Sequence, residues 1–172
     1  MGNVTTAESY SPALTAGYYA HATTAGYYAN AATTGFNAHA TTTGDGGRAT
    51  TAGNFSHATT VGDDAHATTA GNGSHALTAG DYAHATTTGR LAHALTAGDR
   101  AKTSVSGENA IAVAVGYNSC ARAANGGFIV LAQYDGSTVV AVKTAQAGKD
   151  GIKPDTWYKL SPTGEFVEAK VE

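Results

Sequence analysis

The sequence predicts an all-β fold: a two-sheet parallel β-solenoid of 18-residue coils, each made of two nonapeptides, followed by a small antiparallel β-meander that caps it. Two observations predict the solenoid. Glycine recurs at every ninth position, twelve times in succession from Gly17 to Gly116. Between glycines, small residues alternate with variable ones, and identical side chains return in every second nonapeptide. Such a repeat is typical of short strands stacked in a regular spiral.

Three segments are predicted: an N-terminal lead-in at 1–12, the nonapeptide solenoid at 13–125 and the C-terminal antiparallel cap at 126–172. The 172-residue chain is rich in Gly, Ala and Thr and has few large apolar residues, so its core must be thin. Its single cysteine, Cys120, excludes an intramolecular disulfide.

Each nonapeptide has the form small-x-Ala-x-Thr-x-Gly-x-x. Alanine stands four positions before the glycines from Ala13 to Ala94, and threonine two before them from Thr15 to Thr96. In a strand these alternate positions share one face, which we expect to point inward. We expect the inward threonine hydroxyls to bond to one another or to a backbone carbonyl of the next coil. Twelve units make about six coils and a rod of roughly 29 Å.

The residue that follows glycine sets the coil length. Aspartate occupies this position in every second nonapeptide, with asparagine or arginine in between: Asp45, Asp63, Asp81 and Asp99. Leu77 and Leu95 are also two nonapeptides apart. Two nonapeptides therefore complete one coil. The aspartates either accept hydrogen bonds from turn amides or form a weak candidate calcium site between coils; no cofactor is predicted.

All seven histidines occupy the same position of the nonapeptide. One sheet should carry an outward row of His21, His39, His57, His75 and His93, and the other sheet Pro12, Asn30, Arg48, His66, His84 and Lys102. Three interpretations are open for the first row. The rings cover the sheet and hydrogen-bond along it, they form a binding face with the adjacent Thr23, Thr41 and Thr59, or neighbouring pairs bind zinc or nickel. Adjacent rings should lower one another's pKa.

Both ends of the spiral have distinct compositions. The first coils carry an aromatic concentration that predicts an N-terminal cap or a self-association surface: Tyr18, Tyr19, Tyr27, Tyr28 and Phe36. After the repeat decays, two β-rich runs meet at Asp135 and Gly136, which predicts a hairpin. Two further short strands, with turns at 154–155 and 162–164, complete the predicted cap.

The units that read Ala-His-Ala-x-Thr-x-Gly are followed by a tail with the phrases GFIVLA at 127–132 and IKPDTWY at 152–158. In these features the chain resembles uncharacterised bacterial and phage proteins built from the same nonapeptides. That resemblance implies a phage or prophage setting and no particular activity. In its nine-residue units and 18-residue coils the chain is also similar to RTX calcium-binding β-rolls, although Gly44, Asp45 and Gly46 match their motif poorly. The phrase ENAIAVAVGYN at 108–118 is similar to heads of trimeric autotransporter adhesins.

We find no nucleophile elbow, phosphate loop or acid pair in the sequence, and repeated equivalent positions contrast with a unique active site. The prediction is a non-enzymatic binding or structural module that presents its His and Thr rows to a protein partner or to another copy, as a homo-oligomer. A net charge of -3 disfavours nucleic acid as the partner.

The N-terminal residues contain no apolar run, so we expect no secretion signal and no membrane partner, and a location in the host cytoplasm or the phage particle. The alternative function is a phage counter-defence or regulatory protein that inhibits a host protein or sequesters a ligand. Ice binding through the threonines is disfavoured, because histidines, Leu77 and Leu95 interrupt the array.

Overall fold

The structure is a computed structural model that describes residues 2–149 and 151–170. Over this part the chain is all-β, with 18 strands in two nine-stranded sheets and no helix. The sheets form a solenoid of about seven turns with antiparallel strands at its C-terminal end, which confirms the predicted fold class. Residues 1, 171 and 172, at the outer ends of the predicted lead-in and cap, and residue 150 lie outside the described residues.

Strands of the solenoid alternate between the two sheets. The first sheet contains, in spatial order, β1 (Asn3–Thr6), β3 (His21–Ala25), β5 (His39–Thr43), β7 (His57–Val61), β9 (His75–Ala79), β11 (His93–Thr96), β13 (Ile111–Ala114), β15 (Phe128–Asp135) and β16 (Thr138–Gln146). The second sheet contains β2 (Pro12–Ala16), β4 (Asn30–Thr34), β6 (Arg48–Ala52), β8 (His66–Ala70), β10 (His84–Thr87), β12 (Lys102–Val105), β14 (Cys120–Ala123), β17 (Tyr158–Leu160) and β18 (Phe166–Glu168).

The parallel register confirms the 18-residue coil. His57 lies opposite His75 and Ala58 opposite Ala76, a displacement of two nonapeptides along the chain. The ladder begins earlier than the glycine repeat indicates, because β1 already pairs with β3. It also ends later, because β15 pairs in parallel with β13. The glycine count therefore misses the outermost coils, and about seven coils give a rod of roughly 34 Å.

Alanine and threonine form the core, as the alternation predicts. In β7, Ala58 and Thr60 are fully buried, whereas His57, Thr59 and Val61 on the other face are partly or fully exposed. Within the described residues, the larger apolar side chains that are fully buried lie towards the C-terminal end, as Ile129 and Leu131 do, while Val4 packs against the core at the other end. A narrow core of methyl groups explains how a chain with few large apolar residues can fold.

The expectation about the threonine hydroxyls is wrong for eight coil positions. No described residue provides a hydrogen-bond partner for the buried Oγ1 atoms of Thr24, Thr33, Thr42, Thr51, Thr60, Thr69, Thr78 and Thr87. Equivalent atoms on neighbouring coils are separated by the strand spacing of about 4.8 Å, which is too long for a hydrogen bond. The expected pairing does occur between Thr96 and Thr103, whose Oγ1 atoms are 2.9 Å apart.

The glycines are required by close packing as well as by turn geometry. A Cβ atom added at Gly98 would overlap the carbonyl oxygen of Gly80, one coil below. The left-handed position of each turn is the second residue after glycine, and it accepts bulky side chains such as Tyr19 and Phe55, both with φ of 57°. The Tyr19 amide donates to the carbonyl of Phe36 on the next coil at 3.0 Å, so the ladder continues through the turn.

The C-terminal cap has the predicted antiparallel strands. β15 and β16 form the hairpin around Asp135 and Gly136, and β17 and β18 extend the second sheet. Tyr158 is buried at the junction with β14, and its hydroxyl accepts a hydrogen bond from the Lys153 amide at 2.9 Å. The guanidinium of Arg122 lies 4.9 Å from the centroid of the Trp157 ring, which attaches the cap to the last coil.

Candidate functional site

Five histidines form a continuous stack on the first sheet, which we call the His ladder: His21, His39, His57, His75 and His93. Successive ring centroids are separated by 4.8, 4.8, 4.7 and 5.3 Å. The rings are nearly parallel except between His57 and His75, whose planes differ by 48°. The in-register pairing of the strands produces this stack directly, because each coil places its histidine above the previous one.

Thr23, Thr41 and Thr59 stand beside the first three rings on the same outward face. The structure thus brings together all eight predicted face residues; the five histidines and three threonines are called the His/Thr face below. Beyond Thr59 the threonine column continues as Leu77 and Leu95. The face is therefore polar in both columns over its N-terminal coils and becomes partly apolar farther along the rod.

Burial and neighbouring rings lower the pKa values of the three histidines in the middle of the ladder. Partial burial lowers the pKa of His57, and the neighbouring His75 and His39 lower it further. The pKa values of His39 and His75 are lowered in the same way, first by burial and then by His21 and His93 respectively. The lowered pKa values favour the neutral form of these three rings, in which each has one donor and one acceptor nitrogen.

The rings contact one another without hydrogen bonds. Among the described residues, no hydrogen bond joins ring nitrogens of the His ladder, so the expectation of hydrogen bonding along the row is wrong. Parallel rings direct their N–H groups within their own planes and therefore past the neighbouring ring.

Zinc sites in proteins use three or four protein ligands, so a pair of adjacent rings would need at least one further ligand side chain. Within residues 2–149 and 151–170, no three His, Cys, Asp or Glu side chains are grouped so that they could hold a metal.

The second sheet carries the predicted opposite row, Pro12, Asn30, Arg48, His66, His84 and Lys102, in register. The rings of His66 and His84 stack at 4.8 Å. Burial, His66 and Lys102 lower the pKa of His84 to about 4, although Asp64 acts in the opposite direction. The row ends at Cys120, where burial raises the pKa of the thiol.

The aspartate side chains of the row accept hydrogen bonds between neighbouring coils. Asp45 Oδ1 accepts the amide of Asp63 at 3.0 Å, and Asp63 Oδ1 accepts the amide of Asp81 at 2.9 Å. Asp81 and Asp99 accept the amides of Asp99 and Tyr117 in the same manner, at 2.8 Å each. The prediction that these carboxylates accept turn amides is confirmed, with the donor one coil away rather than in the same turn.

The predicted aromatic residues lie on two opposite edges of the solenoid. Tyr18 and Tyr19 belong to a turn that leads into the first sheet, and Tyr18 contacts Phe36 at a centroid distance of 6.0 Å. Tyr27 and Tyr28 lie at the other edge, where both contact Tyr10. All five predicted residues are exposed. They therefore form two edge clusters and not one surface.

In comparisons with known proteins, no family model matches the chain. Neither a curated protein nor a solved structure matches it. Among the described residues there is also no helix with the length and hydropathy that crossing a bilayer requires.

Proposed function

We propose that the protein is a non-enzymatic binding module that presents the His/Thr face to a protein partner. The observation that supports this most directly is the ladder itself: five imidazoles in register, partly exposed, at 4.7–5.3 Å spacing. Stacking already limits the motion of these side chains, so a partner would lose less side-chain entropy when it binds them than it would on a flexible surface.

The spacing of the face favours a partner that also has a β-sheet surface. Hydrogen-bonding groups repeat along the rod at the strand spacing of about 4.8 Å, and any other sheet presents side chains at the same interval. Neutral imidazoles and hydroxyls can each donate and accept hydrogen bonds, which suits an uncharged polar sheet surface. A second copy of this chain is one such partner, and self-association is therefore measured in the same experiment.

The surroundings of the histidines support a non-enzymatic role. A histidine that acts as a catalytic base is normally held by a second hydrogen-bonding group, such as a carboxylate. In the described part of the chain, none of the five ladder rings has such a hydrogen-bonded carboxylate.

The test compares two variants on opposite sheets. The face variant carries His39→Gln, His57→Gln and His75→Gln, and the control carries His66→Gln and His84→Gln. Proteins retained from a bacterial lysate at pH 7.5 are identified by mass spectrometry, and mass in solution is measured by light scattering. We expect the wild type and the control to retain the same partner or oligomer and the face variant to lose it. Identical behaviour of all three proteins, or no partner and no oligomer for the wild type, would contradict the proposal.

A phage or prophage setting is the second part of this proposal, supported by the resemblance of the nonapeptides and of the tail at 127–132 and 152–158. After prophage induction in a strain that encodes the chain, purified particles are analysed by mass spectrometry. We expect the protein in the particle fraction. Its presence only in the cell lysate would instead favour the counter-defence or regulatory alternative.

A further inference from the structure

A cleft of about 660 Å³ lies where the solenoid turn between β13 and β14, the β15–β16 hairpin and the β17–β18 turn meet. Small-molecule sites have volumes of roughly 300–1,000 Å³ and often lie at junctions of this kind. The cleft is at the C-terminal end of the molecule and shares no residue with the His/Thr face. It is therefore a separate candidate site.

Two hydrogen bonds hold the walls of the cleft together. The hydroxyl of Tyr134 donates to the carbonyl of Val115 at 2.6 Å, which ties the hairpin to the solenoid. The side-chain amide of Gln133 donates to the carbonyl of Pro162 at 2.9 Å, which ties the hairpin to the β17–β18 turn. The three walls are thus connected in the unliganded protein, so little reorganisation would accompany binding.

One wall of the cleft is aromatic. The rings of Tyr117 and Tyr134 meet edge to face, with centroids 5.7 Å apart and an interplanar angle of 88°. Tyr117 is 44% exposed, so part of its ring is available to a ligand. Val140 adds an exposed apolar side chain to the lining. A partly exposed aromatic ring of this kind can pack against the C–H groups of a sugar ring.

Polar groups of complementary types line the rest of the cleft. Lys159, Asp135 and Asn118 all belong to the lining. Within the described residues, none of these three side chains makes a side-chain hydrogen bond or an ion pair. Asp135 can accept hydrogen bonds from hydroxyl groups, Asn118 can donate and accept, and the Lys159 ammonium can pair with a carboxylate.

We propose that this cleft binds an acidic saccharide, a sugar unit that carries a carboxylate. The sugar ring lies against Tyr117, its hydroxyls bond to Asp135 and Asn118, and its carboxylate faces Lys159. Among the described residues that line the cleft, Lys159 is the only cationic side chain, and it distinguishes an acidic sugar from a neutral one.

The experiment follows backbone amide resonances of the full-length protein during titration with D-glucuronate, D-glucose and acetate. We expect saturable shifts at Tyr117, Asn118 and the β15–β16 hairpin with glucuronate, weaker shifts with glucose and none there with acetate. Lys159→Gln should weaken glucuronate binding roughly fivefold, as for other exposed ion pairs, and leave glucose binding unchanged. Tyr117→Ala should abolish binding of both sugars, with thermal melts to show that each variant is folded.

Lys143→Gln is the matched control, because this lysine is exposed on β16 outside the cleft, and it should bind glucuronate normally. Added salt should reduce glucuronate affinity towards that of glucose. The proposal is overturned if glucuronate leaves the cleft resonances unchanged, if acetate shifts them equally, or if Lys159→Gln has no effect. The His39, His57 and His75 face variant should retain saccharide binding, so a failure here is distinguishable from a failure of the proposed protein-binding function.

Discussion

At the scale of single residues, the threonine column is the least expected feature of the core. Eight buried hydroxyls lack a hydrogen-bond partner among the described residues. A buried hydroxyl without a partner costs about 1–3 kcal/mol. Valine has nearly the same shape and lacks this cost, so the threonines of the middle coils do not represent the most stable core that this backbone could hold.

Thr60→Val should therefore raise the free energy of unfolding by about 1 kcal/mol, because it removes an unpartnered hydroxyl and keeps the packing. Thr96→Val is the control, since Thr96 pairs with Thr103 at 2.9 Å, and it should lower stability by about 1 kcal/mol. Urea unfolding of the two variants measures the difference. Equal losses in both would mean that the Thr60 hydroxyl has a partner in solution.

A second residue-scale prediction concerns the glycine column. Gly98→Ala would place a Cβ against the carbonyl oxygen of Gly80. We therefore expect the free energy of unfolding to fall by about 3 kcal/mol or more, or the variant to fail to fold. Gly136→Ala is the comparison, because Gly136 has φ of 59° and open space around it. At Gly136 only backbone strain should act, and it should lower the free energy of unfolding by about 1 kcal/mol. Thermal melts of the two variants measure the difference. A smaller loss of stability for Gly98→Ala than for Gly136→Ala would contradict close packing between coils.

At the scale of strands and turns, the coil is held by ladders that run through every part of it. Strand amides pair with the neighbouring coil, the amide of Gly53 donates to the carbonyl of Ala70, and that of Phe55 donates to the carbonyl of Asn72. The backbone amide of the residue just after glycine instead donates to a side chain of the neighbouring coil. For example, the Asn72 backbone amide donates to Asn54 Oδ1 at 2.9 Å. Aspartate and asparagine recur in the position after glycine because this bond requires a side-chain oxygen there.

His84, in the outward row of the second sheet, should make the stability of the protein sensitive to acid. The folded pKa of His84 is about 4, below the value of about 6.5 for an unfolded chain. Between these two pKa values the unfolded chain binds a proton at this position and the folded chain does not. The free energy of unfolding is therefore unaffected by His84 above about pH 6.5 and decreases as the pH falls towards 4. His66, Lys102 and Asp64 are the charged or titratable groups that act on this ring. Solvent exposure limits the effect to the order of 1 kcal/mol.

Urea unfolding at pH 7 and pH 5 measures this loss. His84→Gln should lose less stability between the two pH values than the wild type does. Asn30→Gln, a substitution of a non-titratable residue in the same row as His84, serves as the comparison and should retain the wild-type pH dependence. An unchanged loss in His84→Gln would show that this ring does not contribute.

At the scale of the whole molecule, the two ends of the rod are stabilised by different means. The middle coils bury alanine and threonine, whereas the C-terminal end collects larger buried side chains in Ile129, Leu131 and Tyr158. In a solenoid each coil contacts only its neighbours, so loss of a contact at one end should act first on the adjacent coils.

Tyr158→Ala should lower the free energy of unfolding of the C-terminal coils by about 3 kcal/mol, because it leaves a cavity under the cap. Hydrogen exchange should accelerate in β14 and β17 before it does in the middle strands β7 and β8. Tyr19→Ala, at a 48% exposed turn position, is the control and should change little. Uniform acceleration along the rod would instead indicate a single cooperative unit.

Periodicity made much of this structure predictable. A repeat that returns identical residues in every second nonapeptide predicts their vertical columns, so the His ladder, the Asp45 to Asp99 row and the inward Ala58 and Thr60 could all be derived from spacing. The hairpin at Asp135 and Gly136 could also be predicted, because its turn signal is local. The left-handed turn position was not predictable, since it holds residues as different as Tyr19, Asp64 and Leu91.

The sequence by itself determined the coil length and which side chains share a column, because both follow from counting along the chain. Only the tertiary structure decided which hydroxyls have partners and where the cleft beside Tyr117 lies. These features depend on distances between atoms that are far apart in sequence or related by the spacing of stacked strands. The donor–acceptor distance of a hydrogen bond is about 1 Å shorter than the distance between two atoms in simple contact. The alternation of residue types along a strand does not determine interatomic distances to that precision.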